Sequence, residues 1–225
     1  MDSSDTTQDD PPVRIPPLPR SEWTDAAREV FAFWGEPDAW ENGSRTNSQM
    51  VLANHPPLAM AFNRFGKHVL IDNTAPAWAR ELVTLRVAWH LKSRYEWHYH
   101  VGYALNLGMT LSQIADIGVG PDAGSWSDLD AAVLRCVDEL WASSRVTDAT
   151  WAILAQHYTK QQIMDLVFLL GQYVMLGWGL AAFGVQLEDG VDPIGFDLKT
   201  RSGRTPDGRF KPGEVDDWAE TQFEA

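Results

Sequence analysis

The chain has 225 residues, of which 44 % are hydrophobic and 11 % aromatic, with 11 tryptophans. This composition is typical of a globular protein, and the length suffices for one large domain. A formal net charge of −13 and a pI of about 4.7 make the surface repel nucleic acid and anionic membranes, so we exclude nucleic-acid partners. Cys136 is the only cysteine, which excludes an internal disulfide and a two-thiol redox cycle within one chain.

The first twenty residues are acidic and then rich in proline, with little apolar surface to offset the entropy of ordering them. We therefore predict a flexible N-terminal arm over residues 1–20. This segment has neither the basic region nor the apolar stretch of a secretory signal peptide. We expect a cytoplasmic protein.

Helix signals dominate the rest of the chain up to residue 188, and no segment has the alternating pattern of a strand. Side chains that can cap a helix N-terminus, several with Glu, Gln or Asp three residues later, predict helix starts at Thr24, Ser93, Thr110, Ser127, Thr147 and Thr159. The fold class predicted is all-α, with antiparallel helix pairs in a single helical domain over residues 21–188. Residues 189–225 are polar and predict an irregular C-terminal tail.

The helix that follows Thr159 is apolar over almost enough residues to cross a bilayer. Asp165 and Gln172 lie inside it, and no basic cluster flanks it. We therefore interpret it as a buried central or subunit-interface helix and expect no membrane partner. Its glycines would allow close helix contact: Gly171, Gly177, Gly179 and Gly184.

Proton-transfer groups are concentrated between residues 80 and 108, in RELVTLRVAWHLKSRYEWHYHVGYALNLG. Glu96 and His100 are four residues apart, so they share one face of a helix. A short turn would bring Glu81 alongside them from the preceding antiparallel helix. Two carboxyl groups and an imidazole that converge in this way form a workable acid–base relay.

Each of these residues also has a purely structural interpretation. Glu96 is the third helical residue after Ser93, so its carboxylate can fold back onto the Ser93 amide as part of a capping box. His100 can be a hydrogen-bonded core residue, and Arg86 with Glu81 can be a structural ion pair.

A metal site is a further alternative, because four side chains supply suitable ligand atoms: His90, Glu96, His98 and His100. His98 and His100 are two residues apart on a predicted helix and face different directions, and no standard ligand spacing is met. The phosphate-binding and dinucleotide-binding motifs are absent as well. We therefore expect neither a metal ion nor an organic cofactor.

The segment RELVTLRVAWHLKSRYEWHYHVGYALNLGMT resembles the core motif of the carboxymuconolactone decarboxylase family, which shares its all-helical fold with the AhpD-type alkylhydroperoxidases. The resemblance extends over roughly residues 45–187. In the peroxidase branch, a glutamate, a Cys-x-x-Cys pair and a histidine correspond to Glu81, Ser93, Glu96 and His100. Both thiols are missing here, so we reject thiol peroxidase activity.

The resemblance implies a cofactor-independent, decarboxylase-type lyase that acts on a small carboxylated lactone or aromatic-derived ring compound. It assigns proton delivery to Glu96 with Glu81 as a relay, and stabilisation of the substrate oxyanion to His100 or Arg86. The substrate-binding residues expected are Arg86, Trp89, Ser93, Tyr95 and Trp97. The resemblance also implies a homo-oligomer, commonly a trimer or hexamer, and a dimer is a further alternative.

Two classes of alternative remain open from the residues. The protein can be a small-molecule-binding member of the fold without catalysis, or an oligomerisation protein without a ligand. It can also be an isomerase or hydrolase that acts on a related ring substrate.

Overall fold

The computed structural model describes residues 11–191, 193–196 and 198. These ranges contain ten α-helices: α1 (Asp25–Ala32), α2 (Ala39–Asn42), α3 (Asn47–Leu52), α4 (Pro56–Lys67), α5 (Ala77–Leu91), α6 (Arg94–Asn106), α7 (Leu111–Val119), α8 (Asp128–Ser143), α9 (Asp148–His157) and α10 (Lys160–Phe183). A 3-10 turn at Arg20–Glu22 precedes α1, and a π-helical turn at His68–Asp72 follows α4. No strand occurs in the described ranges, which confirms the all-α prediction.

All six helices begin directly after the predicted residues, and the expected capping hydrogen bonds form there with one exception. Thr24, Ser127 and Thr147 each accept a hydrogen bond from the backbone N–H three residues later. Thr110 forms a complete capping box with Gln113. A polar side chain at these positions satisfies an N–H group that has no partner within the helix.

The exception is Ser93, whose predicted capping box with Glu96 is wrong. The Ser93 side chain makes no capping hydrogen bond. Its backbone N–H donates instead to the carbonyl of Ala88 at 3.0 Å. The reason lies in Lys92, whose left-handed backbone (φ 54°) turns the chain so that the Ser93 amide closes the end of α5. Glu96 is thereby released from a capping role.

The described residues belong to two compact units. Within the described residues, the first consists of 11–63 and Trp178–Asp189, and the second of Arg64–Gly177, 190–191, 193–196 and 198. The single helical domain expected over residues 21–188 stays a prediction, since compactness alone does not define an evolutionary domain.

The first unit has a small core on α1, where Ala27, Val30 and Phe31 are fully buried. The spacing of these residues is that of one helix face, as their sequence pattern predicts. The Trp23 ring packs against Phe31 with 4.9 Å between centroids. This unit contains none of the predicted site residues.

The predicted arm over residues 1–20 differs in its second half from the expectation of flexibility. Residues 1–10 lie outside the described residues. The Leu18 N–H donates to the carbonyl of Met50 at 3.0 Å, and the Leu18 carbonyl accepts from the Trp23 indole at 2.9 Å. Leu18 is also buried, so one apolar side chain in a polar segment fixes the backbone locally. Of the predicted tail, residues 192, 197 and 199–225 lie outside the described residues, and the described remainder contains no helix.

The second unit is built around α5. Every side chain from Glu81 to Ala88 is buried, so this helix is covered on all sides. Helices α6, α7 and α8 pack against it. A turn of only two residues, Lys92 and Ser93, joins α5 to α6 and makes them antiparallel neighbours. The polar side chains of α5 therefore meet partners from several helices inside the core.

Arg86 is the polar residue that joins α5 to α8 and α7. Its Nε and Nη2 donate to the two carboxylate oxygens of Asp138 at 2.7 and 2.9 Å, and Nη1 donates to the carbonyl of Ile117 at 2.6 Å. His90 Nε2 also contacts Asp138, at 2.6 Å. Burial acts to raise the pKa of Asp138, but the hydrogen bonds from His90 and Arg86 outweigh it and lower that pKa.

Helix α10 is, among the described helices, the one long and apolar enough to cross a membrane, and a third of its most apolar window is buried in the structure. Length and composition alone are weak evidence for such a role. The Asp165 carboxylate accepts two hydrogen bonds from Thr74 at 2.7 and 2.8 Å and contacts His68 Nε2 at 2.9 Å. These bonds tie α10 to the segment before α5 and support its interpretation as a core helix.

We predict that Asp138→Ala lowers the free energy of unfolding by about 2–4 kcal/mol, because it leaves the Arg86 guanidinium buried without a counter-ion. Denaturant unfolding monitored by circular dichroism measures this change. Asp122→Ala is the matched control, since Asp122 pairs with Arg135 at the surface and exposed pairs contribute little. Equal effects of the two substitutions would contradict a structural role for Arg86.

Candidate active site

The centre of the candidate site is a hydrogen bond between α5 and α6. His100 Nδ1 lies 2.8 Å from Oε2 of Glu81, and the two residues are 5 % and 8 % exposed. A carboxylate at Nδ1 holds the imidazole in the tautomer with a proton on that nitrogen, which leaves Nε2 for a reacting group. The predicted convergence of Glu81 and His100 is therefore observed.

Two tyrosine rings enclose this imidazole. The rings of Tyr103 on α6 and Tyr173 on α10 stand edge-to-face with His100, with centroids 5.1 and 4.8 Å away. Burial, and then the charge of Glu81, raise the pKa of the Tyr103 phenol above its ordinary range. Both effects keep the site dry and the phenol neutral.

Glu96 lies one turn before His100 on the same face of α6 and is 2 % exposed. Neither of its carboxyl oxygens has a hydrogen-bond partner among the described residues. Burial raises the pKa of Glu96 from its usual 4.5 to about 8, and the nearby Ser93 hydroxyl opposes this more weakly without reaching hydrogen-bond geometry. Glu96 is therefore a neutral carboxylic acid at pH 7.

Helix α10 covers this carboxyl group with bare backbone. A Cβ atom at Gly177 would lie 2.7 Å from Glu96 Oε2 and 2.5 Å from a methyl group of Leu91. Gly177 meets Glu96 and Tyr173 meets His100, so α6 and α10 run antiparallel along this contact. A side chain at position 177 would force the ends of the Leu91 and Glu96 side chains to move.

The cluster therefore combines three functions in one buried volume. The Glu81–His100 pair can carry a proton, the neutral Glu96 carboxyl can donate a hydrogen bond or a proton, and neighbouring rings exclude water. Such pairs of titratable groups with different environments are the arrangement that acid–base catalysis needs.

Trp89 and Trp97, expected to pack against a substrate ring, instead contact a ring of the protein itself. Phe196 lies with its centroid 5.5 Å from Trp89 and 5.1 Å from Trp97. The Trp97 indole N–H donates to the carbonyl of Gly195 at 3.0 Å. Trp97 follows Glu96 by one residue, about 100° around α6, so the two side chains have different neighbours.

The remaining expected substrate-binding residues have other surroundings. Tyr95 is buried, with its ring 5.2 Å from that of Tyr99. Ser93 lies next to the Glu96 carboxyl, as described above. Arg86 donates to Asp138 and to the end of α7, so the structure places it in a structural network. Their roles toward a substrate stay predictions.

The alternative metal ligands are not brought together. His90 contacts Asp138, and His98 Nδ1 accepts from the backbone N–H of Ile194 at 3.0 Å. In the described part of the chain, no group of three or more His, Cys, Asp or Glu side chains is arranged to hold a metal ion.

Sequence reasoning missed Tyr103 and Tyr173 as neighbours of the site. Tyr103 lies three residues after His100 and could have been found from helical spacing. For Tyr173 the local signal was weaker: it lies four residues before Gly177, a glycine already recognised as a point of close helix contact. No pattern in the sequence indicated which helix that glycine approaches.

The comparisons with known proteins agree with this architecture. Residues 56–139 match the model of the carboxymuconolactone decarboxylase family. The matched segment is shorter than half of the chain. This segment includes α5 and α6 with Glu81, Glu96 and His100. A search of functionally curated proteins finds no match to the chain.

Solved structures show that the fold is AhpD-like. An uncharacterised peroxidase-related protein from Ralstonia eutropha JMP134, described as an alkylhydroperoxidase AhpD core, superimposes with a TM-score of 0.65 at 16 % identity over 79 % of this chain and 94 % of that one. A cysteine-to-alanine variant of the debrominase Bmp8, in complex with 2,3,4-tribromopyrrole, superimposes with a TM-score of 0.62 at 17 % identity. The match covers 80 % of this chain and 95 % of the debrominase chain. An uncharacterised peroxidase-related protein from Silicibacter sp. TM1040 superimposes with a TM-score of 0.63 at 14 % identity, over 79 % of this chain and 94 % of that one.

We predict that the free energy of unfolding falls as the pH rises from about 4.5 to about 8, because folded Glu96 keeps a proton that the unfolded chain releases. The slope from this group approaches about 1.4 kcal/mol per pH unit within that window. Glu96→Gln cannot ionise and should remove this slope. Urea unfolding between pH 5 and 8 measures the effect, with the exposed Glu29→Gln as control. An unchanged slope in Glu96→Gln would contradict the neutral carboxyl.

Proposed function

We propose that the protein is a cofactor-independent lyase of the decarboxylase type that acts on a small carboxylated lactone or aromatic-derived ring compound. The observation that carries this proposal is the neutral, unpartnered Glu96 carboxyl beside the oriented Glu81–His100 pair. The match of residues 56–139 to the model of the carboxymuconolactone decarboxylase family supports it. A cytoplasmic location is part of the proposal.

The reaction needs two contributions from the protein. When the bond between the ring carbon and the carboxylate breaks, its electron pair passes into the conjugated ring and CO₂ leaves. The oxygen that receives this negative charge needs hydrogen-bond donors, and the ring carbon then takes up one proton. Glu96 and His100 are the two groups that can supply a donor and a proton in a water-excluded volume.

The largely apolar surroundings of the site favour this chemistry. Gly177 lies close to the Glu96 carboxyl and to Leu91, and the imidazole is flanked by Tyr103 and Tyr173. A carboxylate transferred into such surroundings loses much of the solvation that stabilises it in water. The delocalised product anion loses less, because its charge is spread over several atoms.

The ring class of the substrate has independent support in one protein of the same fold. The variant of the debrominase Bmp8 is in complex with 2,3,4-tribromopyrrole, a small planar ring. Shared fold at 17 % identity does not transfer that reaction, but it is consistent with a ring-sized ligand for this architecture.

Thiol peroxidase chemistry, suggested by other neighbours, has no support in the thiol of this chain. Burial, and then the charge of Glu139, raise the pKa of Cys136 to about 11. Cys136 faces an apolar crevice lined by Val137, Leu154 and Leu166. A peroxidatic cysteine needs a stable thiolate, and this environment disfavours it.

We predict that the purified protein consumes 4-carboxymuconolactone in an ultraviolet assay. Glu96→Gln and His100→Ala should each lower kcat by about 10²–10⁴, because each removes a proton-transfer or hydrogen-bonding group. His157→Ala, on the exposed face of α9, serves as the control with unchanged activity. A chelator should have no effect.

Turnover that survives in both variants would contradict the assigned site. If the wild type does not turn over 4-carboxymuconolactone but a ring acid raises its midpoint of thermal unfolding, that result supports the alternative of a non-catalytic binding protein. The same shift measured in His100→Ala then shows whether the ligand occupies this site.

We also propose a homo-oligomer in which α10 contacts α10 of a second copy. Met164, Phe168 and Met175 form one exposed apolar stripe, with Gly171 at its centre. The spacing is nearly symmetric about Gly171, so two antiparallel copies present matching surfaces, as a two-fold interface requires.

Replacing Phe168 by Glu should therefore shift the sedimentation coefficient of the full chain to that of a smaller species. The control Trp151→Glu changes an exposed aromatic residue on α9, outside the stripe. A wild-type protein that sediments as a monomer would contradict this interface.

A further inference from the structure

Helix α10 contributes two residues on adjacent turns to the candidate site, Gly177 and Tyr173. Packing explains the residue type at only one of these positions. Gly177 provides space for the Glu96 carboxyl. Tyr173, one turn earlier, is 5 % exposed and lies against the His100 ring, although a phenylalanine would fill the same volume. The phenol carries a hydrogen-bond donor that phenylalanine would lack, on a ring that lies against the imidazole of His100.

We propose that the Tyr173 hydroxyl and the Glu96 carboxyl together donate hydrogen bonds to one substrate oxygen and so form an oxyanion hole between α6 and α10. This inference rests on the proposed lyase function and refines it. It leaves His100, oriented by Glu81, as the group that delivers the proton.

Three contacts place these groups around one volume. Tyr173 faces His100, Gly177 faces Glu96, and Glu96 and His100 are one turn apart on α6. The antiparallel register of α6 and α10 therefore places the Tyr173 ring against the His100 ring and Gly177 against the Glu96 carboxyl, one turn apart. Glu96 has no competing hydrogen-bond partner among the described residues, so its donor is available.

The electrostatic surroundings keep both donors protonated. The groups that face them are Arg80 and Glu81 on α5, and Ser93, His100 and Tyr103 on α6. Burial, then the charges of Glu81, Tyr103 and Glu96, hold the pKa of Tyr173 well above its usual value, against a weaker influence of Arg80. A phenol paired with a neutral carboxylic acid is an effective donor pair for an enolate oxygen.

This arrangement narrows the substrate class to rings in which a carbonyl group is conjugated with the carbon that carries the carboxylate. The carbon–carboxylate bond breaks, its electron pair forms a new carbon–carbon double bond, and the carbonyl electron pair moves onto oxygen. CO₂ leaves, and the enolate oxygen lies between Tyr173 and Glu96. When His100 carries a proton on both ring nitrogens, with Nδ1 held by the Glu81 carboxylate, the Nε2 proton forms the C–H bond as the carbonyl is restored. The imidazole keeps its Nδ1 proton, and a proton from solvent returns to Nε2, so each turnover consumes one proton.

The test uses 4-nitrophenolate, whose planar ring and delocalised oxygen charge mimic the enolate. We expect the wild type to bind the phenolate, seen as a shift of its visible absorption band at pH 7.5. Tyr173→Phe should weaken this binding about 10- to 100-fold, the effect of losing a hydrogen bond to a charged group. Tyr158→Phe, a partly buried tyrosine at the end of α9, is the matched control and should bind as the wild type does.

A second measurement separates hydrogen bonding from altered packing. Binding of the phenolate to the wild type should weaken as the pH rises above about 8, because ionised Glu96 repels it. Glu96→Gln should lose this pH dependence. Equal affinity in wild type and Tyr173→Phe would overturn the proposal, as would a wild type that does not bind the phenolate.

These outcomes are distinguishable from failure of the lyase assignment. Phenolate binding that depends on Tyr173 without turnover of 4-carboxymuconolactone supports the oxyanion hole and contradicts that reaction. Turnover with phenolate binding that is insensitive to Tyr173 supports the lyase and overturns the oxyanion hole.

Discussion

The proposed chemistry depends on a carboxyl group, that of Glu96, which is buried without a hydrogen-bond partner among the described residues. Glu96 is enclosed by α6 and by the bare backbone of Gly177, and transfer of a charged carboxylate into such a place would be very unfavourable. The group responds by keeping its proton at neutral pH. Every role considered for the site follows from this neutral state, because an ionised Glu96 would repel an anionic substrate and could donate nothing.

The helices around Glu96 make this placement possible. The Ser93 amide closes the end of α5, so the expected capping box does not bind Glu96. The bidentate Arg86–Asp138 pair joins α5 to α8, and Glu81 orients His100 across the α5–α6 pair. The capping box expected at Ser93 is thus absent next to the candidate site, and departures from local rules are common at functional sites.

Much of the fold could be predicted because its determinants are local. Helix starts at Thr24, Thr110 and Ser127 follow from side chains that cap the first turn, and the proximity of Glu81 and His100 follows from a short turn between antiparallel helices. The error at Ser93 had a local cause, the left-handed backbone of Lys92, which directs the Ser93 N–H to Ala88. Tyr173 could not be assigned because its contact with His100 depends on the register of α10, which lies far from α6 in the chain. Phe196 is likewise far from Trp89 and Trp97 in the chain, so its contacts with their rings could not be predicted, and their roles toward a substrate stay predictions.

The most direct test of the account is a pH titration of the Glu96 carboxyl carbon by NMR on protein labelled with ¹³C-glutamate. The Glu96→Gln spectrum assigns the resonance by its disappearance. The account predicts a midpoint near 8, well above those of the exposed glutamates. A midpoint near the usual 4.5 would show that Glu96 is ionised at neutral pH and would contradict the proposed acid, the oxyanion hole and the pH-dependent stability together.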